Sequence, residues 1–168
     1  MDLRIEGDID GIMVYYVADS LKNEYKNGEQ INVIMNSLGG FIDDAVYIAD
    51  MLISAKEAGS KIVCTNTGDV ASAATIIWLL GDERKFDMSK GEYLIHQPYV
   101  VEAEGTAEDL IEMAVELSRT QDQLATMYST YSGKPIDEIL ERMEQDEPMT
   151  WKELFEYKMA TEVETDEI

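Results

Sequence analysis

A chain of 168 residues with 45% apolar content is about the size of one domain with a core of its own, and its recurrent periodicity argues against disorder. Thirteen basic against thirty-five acidic residues give a net charge of −22, which repels nucleic acid and anionic membrane and leaves little room for phosphate binding. Met1–Glu6 lacks the basic-then-apolar pattern of a secretory signal and no apolar run reaches the ~18 residues of a membrane span, so the expectation is a cytoplasmic protein.

Asp2–Glu6 alternates as a short strand, and Asp10 is placed to cap a helix running to about Lys26, closed by Asn27-Gly28. Ile31–Met35 reads as a second strand. Asn36-Ser37-Leu38-Gly39-Gly40 then turns into a helix whose Ala45, Ile48, Ala49, Leu52 and Ile53 fall at helical spacing, ended by Gly59. Lys61–Thr65 is a third strand, with Cys64 as a buried strand residue. As the only cysteine, Cys64 leaves no intrachain disulfide and no cysteine metal cluster.

The segment Gly68-Asp69-Val70-Ala71-Ser72-Ala73-Ala74 opens the apolar run ending Ile76-Ile77-Trp78-Leu79-Leu80, which predicts a helix with Ser72 at its buried N-terminus. Asp82–Asp87 and Glu92–His96 are strand-like around the turn Ser89-Lys90-Gly91. Strands alternating with helices imply a parallel, crossover-connected sheet and an α/β fold. Thr106-Ala107-Glu108-Asp109 is a capped helix start. Leu110, Met113, Leu117, Leu124, Met127 and Tyr131 extend an apolar stripe along it, whose length points to packing on another subunit, with burial within the monomer as the alternative. Pro135 starts a further helix through Met143, and Thr150-Trp151-Lys152-Glu153 is a capping box for a last one to about Met159. From Glu162 the tail is too acidic for order to be assigned to it. The carboxylates, densest from Asp137 to Ile168, lack ligand-loop spacing, so no metal and no cofactor is assigned.

Ser72 among small residues admits a substrate backbone, and first-turn N–H groups favour the charge that develops on an attacked carbonyl. Serine is also a common N-cap, and Ala-Ser-Ala-Ala packs in any crowded core, so alone the segment reads as structural. His96 is the only histidine and hence the one imidazole available as a base for Ser72. A third group must orient the ring, and charge alone does not choose among the many acids. A serine, histidine, acid order differs from the chymotrypsin, subtilisin and α/β-hydrolase orders, and Ser72 has no Gly-x-Ser-x-Gly.

Met35-Asn36-Ser37-Leu38-Gly39-Gly40, Gly68 to Ala74, Leu94-Ile95-His96-Gln97-Pro98, Glu104 to Asp109 before a long helix, and Asp146 before Thr150 together resemble the ClpP peptidase family, the proteolytic subunit of the Clp protease, from about Leu3 to Val163. The resemblance implies Ser72 as nucleophile, His96 as general base and acid, Asp146 as the group holding the imidazole tautomer, and the N–H groups of Gly40 and Ala73 as an oxyanion hole. It implies a crotonase-like spiral of ββα units in a single domain, residues 1–163, with a protruding handle at about 97–131 and an acidic tail at 164–168. It also implies a homo-oligomer of heptameric rings stacked as a tetradecamer, cutting polypeptides inside.

Against typical members, the chain starts near the first core strand, without their N-terminal helix and axial loops. Asn32 and Ile34 stand where they present outward aromatics to an ATPase. Both departures weigh against an AAA+ unfoldase as partner. Leu38 replaces a proline, Ala73-Ala74 replaces Met-Gly, and Gln145 replaces an arginine that pairs across the ring equator. The shortened form is similar to ClpP-like peptidases of phages, some of which act in capsid maturation. Two other classes are a catalytically silent shell or assembly protein, against which the retained serine, histidine and aspartate count, and a crotonase-type acyl-CoA enzyme, for which the acidic surface offers little.

Overall fold

The computed structural model describes residues 1–166; residues 167 and 168 of the expected acidic tail lie outside the described residues. Six strands form one sheet: β1 (Asp2–Glu6), β2 (Ile31–Ser37), β3 (Ile62–Ala71), β4 (Glu83–Asp87), β5 (Tyr93–Leu94) and β6 (Glu162–Glu164). Their order is β1-β2-β3-β4-β6 with β5 beside β3, and every pairing is parallel, as the strand and helix alternation implies. Helices α1 (Gly11–Asn23) and α2 (Ile42–Glu57) are the first two crossovers. Then come α3 (Ala74–Trp78), α4 (Ala107–Ser132), α5 (Ile136–Gln145) and α6 (Trp151–Glu156).

Period-two patterning decides which face of the sheet is covered. Leu3, Ile5, Ile31, Val33, Met35, Ile62 and Cys64 are fully buried beneath Met13 and Val17 of α1 and Ala45, Ile48 and Leu52 of α2. The intervening residues are polar or only half-buried, and Asn32 Nδ2 donates to Asp2 Oδ1 across the strands at 2.7 Å. Asp10 caps α1 as expected, accepting from the N–H groups of Ile12 and Met13. Capping boxes at Thr106 with Asp109 and at Thr150 with Glu153 start α4 and α6.

Several boundaries differ from the sequence expectations, each for a physical reason. β3 runs to Ala71 rather than stopping at Thr65, because side-chain amides stand in for missing ladder partners where its register with β2 shifts. Asn36 Oδ1 accepts from Asp69 N–H, and the Asn66 side chain bonds the backbone of Gly68 and Asp87. Consequently Ser72 does not open a helix: α3 starts two residues later and lasts five residues. Of Glu92–His96 only Tyr93–Leu94 pairs, against Val70–Ala71. In α2 Ile53 is exposed and Ala55 takes the buried place. α6 ends at Glu156 rather than near Met159, with Lys158 left-handed just beyond it. The acidic segment from Glu162 is not orderless, because Glu162–Glu164 pair with Lys85–Asp87 and Lys85 Nζ lies 3.5 Å from Glu162.

The long helix α4 buries only Ala125, Tyr128 and Ser132, near its C-terminal end. Of the expected stripe, Leu110 and Tyr131 are exposed and Met113, Leu117, Leu124 and Met127 are half-buried, the last two packed against the core; Ile111 and Val115 beside it are exposed as well. Behind Ser72, Trp78, Phe86 and Tyr93 pack edge to face with centroids 5.7 to 6.3 Å apart, and Trp78 Nε1 donates to Met159 O at 2.8 Å. No described helix is long and apolar enough to cross a membrane.

Cys64 is fully buried in β3, and that burial pushes its thiol up to about 12. Native protein is therefore expected to resist iodoacetamide at neutral pH and to react once unfolded in urea; mass spectrometry of both samples checks this.

Candidate active site

Ser72 follows the last residue of β3, and its N–H donates to Leu94 O of β5 at 2.9 Å. Its φ of 56° is left-handed, a conformation that costs a residue with a Cβ about 1–2 kcal/mol. That turn breaks the strand and presents the hydroxyl to a cleft instead of the sheet. His96, two residues beyond β5, brings Nε2 to 2.7 Å from Ser72 Oγ, and its ring packs against Tyr99 at a centroid distance of 5.5 Å.

Asp146 caps the C-terminus of α5 in a left-handed conformation, φ 51° and ψ 39°. Its Oδ1 lies 3.5 Å from His96 Nδ1, longer than a good hydrogen bond, and its side chain is 69% exposed. The following loop is tied on both sides. Buried Arg142 of α5 bonds Glu153 Oε1 at 2.9 Å and Glu147 O at 3.0 Å, while Met149 N–H donates to Tyr93 O at 2.8 Å.

Two glycines bring the loop after β2 against the serine. A Cβ on Gly39, whose φ is 106°, would stand 2.6 Å from Ser72 Cβ and 3.0 Å from both Ala71 O and Ala73 N. A Cβ on Gly40 would stand 2.2 Å from Ile9 O. Only glycine permits either approach. Ile9 and the loop exchange bonds through Gly39 O and Phe41 N–H, which leaves the N–H of Gly40 outside that ladder. Among the described residues neither Gly40 N–H nor Ala73 N–H donates within the chain.

These groups border a cleft of about 1290 Å³ with an apolar wall of Leu38, Phe41, Tyr99, Val101 and Met143. Asp8, Asp10, Glu102 and Glu144 also line it, with no lysine or arginine. Sequence reading missed this wall and the contact of Gly39 on Ser72. Both are made between segments far apart in the chain, and no local pattern carries them.

Chemically, a hydroxyl at hydrogen-bond distance from an imidazole, a carboxylate behind that ring and two uncommitted N–H groups nearby are the parts of nucleophilic acyl transfer. Fold and cleft thus place the chain among α/β proteins that carry a serine and histidine pair at the carboxyl ends of parallel strands. The family described as Clp protease matches residues 16–167. The ATP-dependent Clp protease proteolytic subunit of Porphyromonas gingivalis is 30% identical over 137 residues, covering 81% of this chain and 60% of that protein. The protein of the same name from Streptococcus sanguinis is 32% identical over 139 residues, covering 82% of this chain and 69% of its own length. Among solved structures, a ClpP1 mutant from Listeria monocytogenes aligns with a TM-score of 0.80 at 24% identity, over 98% of this chain and 92% of the other, which identifies the ClpP-type fold. The chain belongs to the Clp protease family. It spans about three fifths of the length of the Porphyromonas relative.

Gly39→Ala forces either the loop or Ser72 to move, since the new Cβ meets atoms on three sides at a left-handed φ. The expected cost exceeds about 1 kcal/mol, read as a lower urea midpoint, together with displacement of Ser72 Oγ from His96 in a crystal structure of the variant.

Proposed function

We propose that the chain is a serine endopeptidase that cuts unfolded polypeptides or short peptides through an acyl-enzyme. The observation that carries this reading is the 2.7 Å approach of Ser72 Oγ to His96 Nε2 at a left-handed turn beside two N–H groups without partners in the chain. In this reading His96 takes the Ser72 proton as the hydroxyl oxygen attacks the peptide carbonyl. The N–H groups of Gly40 and Ala73 receive the resulting oxyanion, and His96 then returns the proton to the leaving amine. Water repeats the sequence to release the acyl group. Asp146 holds the ring by its Nδ1–H; the 3.5 Å separation closes when substrate or a neighbouring subunit shields the exposed carboxylate.

Membership of the Clp protease family and the uncovered Leu110, Ile111 and Val115 of α4 support a homo-oligomer, which we propose to be heptameric rings stacked as a tetradecamer with the cleft inside. The residues 1–163 form the peptidase domain, with the handle at about 97–131. Asn32 and Ile34 supply no aromatic surface on β2, so ATP-independent cutting of short peptides is the proposed mode, with an AAA+ unfoldase adding little. A cytoplasmic setting suits the free thiol of Cys64.

Labelling by a fluorophosphonate tests the chemistry directly. The parent chain is expected to take one label at Ser72 and to hydrolyse small peptides, and Ser72→Ala and His96→Ala to lose several orders of magnitude in rate with the fold intact. Asp146→Asn is expected to be nearly as damaging, on the order of 10³- to 10⁴-fold, because the imidazole takes the wrong tautomer. A Ser72→Ala protein that cleaves peptides at the parental rate overturns the assignment.

Assembly has its own test in ionic strength. At a net charge of −22 per chain, exposed carboxylates repel across subunits, screened over roughly 8 Å at physiological salt but roughly 30 Å at 0.01 M. Light scattering is expected to find smaller species at low salt that re-form rings as salt is added; a monomer at every salt concentration contradicts the barrel.

A further inference from the structure

We infer that Thr75 and Tyr128 form a buried hydroxyl relay that fixes the peptide after Ser72, and with it the reactivity of the serine; this rests on Ser72 being the nucleophile. Thr75 on α3 is fully buried and Tyr128 on α4 is 2% exposed. Thr75 Oγ1 donates to the Ser72 carbonyl at 2.6 Å and lies 2.6 Å from the Tyr128 hydroxyl. A carbonyl only accepts, so the single hydroxyl proton of Thr75 is committed to Ser72, and Tyr128 must donate in the second bond. Burial pushes the Tyr128 phenol up to about 12, with its bond to Thr75 acting in the opposite sense, so that proton is in place at neutral pH. The Ser72 carbonyl also accepts from Thr75 N–H at 3.0 Å.

Two donors on one carbonyl do more than satisfy it. The Ser72 C=O and the Ala73 N–H belong to one planar peptide, so the bond that holds the carbonyl inward also aims the N–H outward. That peptide turns about the Ser72 Cα–C and Ala73 N–Cα bonds, and such a turn would withdraw the Ala73 N–H from the cleft while breaking both bonds to the carbonyl. Thr75 and Tyr128 are therefore positioning residues: they never touch substrate, yet they set one of the two proposed oxyanion donors. Tyr128 stands on the only buried stretch of α4, so the relay ties the base of that long helix to the serine turn.

The experiment compares the parent chain with Thr75→Val, Thr75→Ser and Tyr128→Phe. It measures the second-order rate constant for fluorophosphonate acylation, kcat and KM for a small peptide, and the urea transition. Thr75→Val, which keeps shape and loses the hydroxyl, is expected to lower the acylation constant and kcat by roughly 10- to 100-fold with KM unchanged. Thr75→Ser is expected to restore most of the rate, and Tyr128→Phe to fall between them. A purely structural role would lower the urea midpoint and the labelled fraction while leaving the rate constant of folded molecules at the parental value; that result, in Thr75→Val or, should it not fold, in Tyr128→Phe, overturns the relay alone. A parent chain that takes no label overturns the peptidase reading and the relay with it.

Discussion

The left-handed backbone of Ser72 is the constraint around which this molecule is arranged. It stops β3 at Ala71, postpones α3 to Ala74 and turns the hydroxyl out of the sheet toward His96. Its neighbours over-determine it. Leu94 O accepts the Ser72 N–H from β5, Thr75 donates to its carbonyl from α3, and Gly39 lies against its Cβ where no other residue fits. Strain of about 1–2 kcal/mol at one residue is small beside a core that includes Trp78, Phe86, Tyr93 and the covered face of the sheet, so the fold can hold it.

Parallel topology explains why the parts meet. All strands run the same way, so the ends of β2, β3 and β5 lie at one edge, and each contributes: the Gly39–Gly40 loop, Ser72, and His96 two residues on. Crevices outside the carboxyl ends of parallel strands are where α/β sheets bind ligands. Asp146 comes from outside the sheet altogether, carried by the end of α5. Its position depends on the buried Arg142 and on Met149 reaching back to β5. Removing Glu153 would leave the Arg142 guanidinium buried without its charge partner, which links the carboxylate's placement to a single ion pair.

Charge and apolar surface pull in different directions. The cleft is lined by apolar side chains and by carboxylates, with no lysine or arginine among them, and the whole chain carries −22. The outer part of α4 exposes leucine, isoleucine and valine, which favours association, while the charge opposes it. Salt screens the charge and leaves the apolar surface as it is, so the two respond differently to ionic strength.

Local pattern by itself determined much of this protein. Alternation in Asp2–Glu6 and Ile31–Met35, the caps at Asp10, Thr106 and Thr150, and the alternation of strand with helix specify the elements and their parallel order, because each depends on residues within a turn or two. Ser72 and His96 were legible as candidate types, one serine among small residues and one histidine in the chain. What only the tertiary structure decided was everything made by contact across the chain. The extension of β3 came from the Asn36 and Asn66 amides, the left-handed turn at Ser72 from its neighbours, the ordering of Glu162–Glu164 from β4, and the burial of α4 at Tyr128 rather than along its expected stripe. A strand, a turn or a helix face is chosen by the partner it finds, and a partner thirty or fifty residues away leaves no mark on local periodicity.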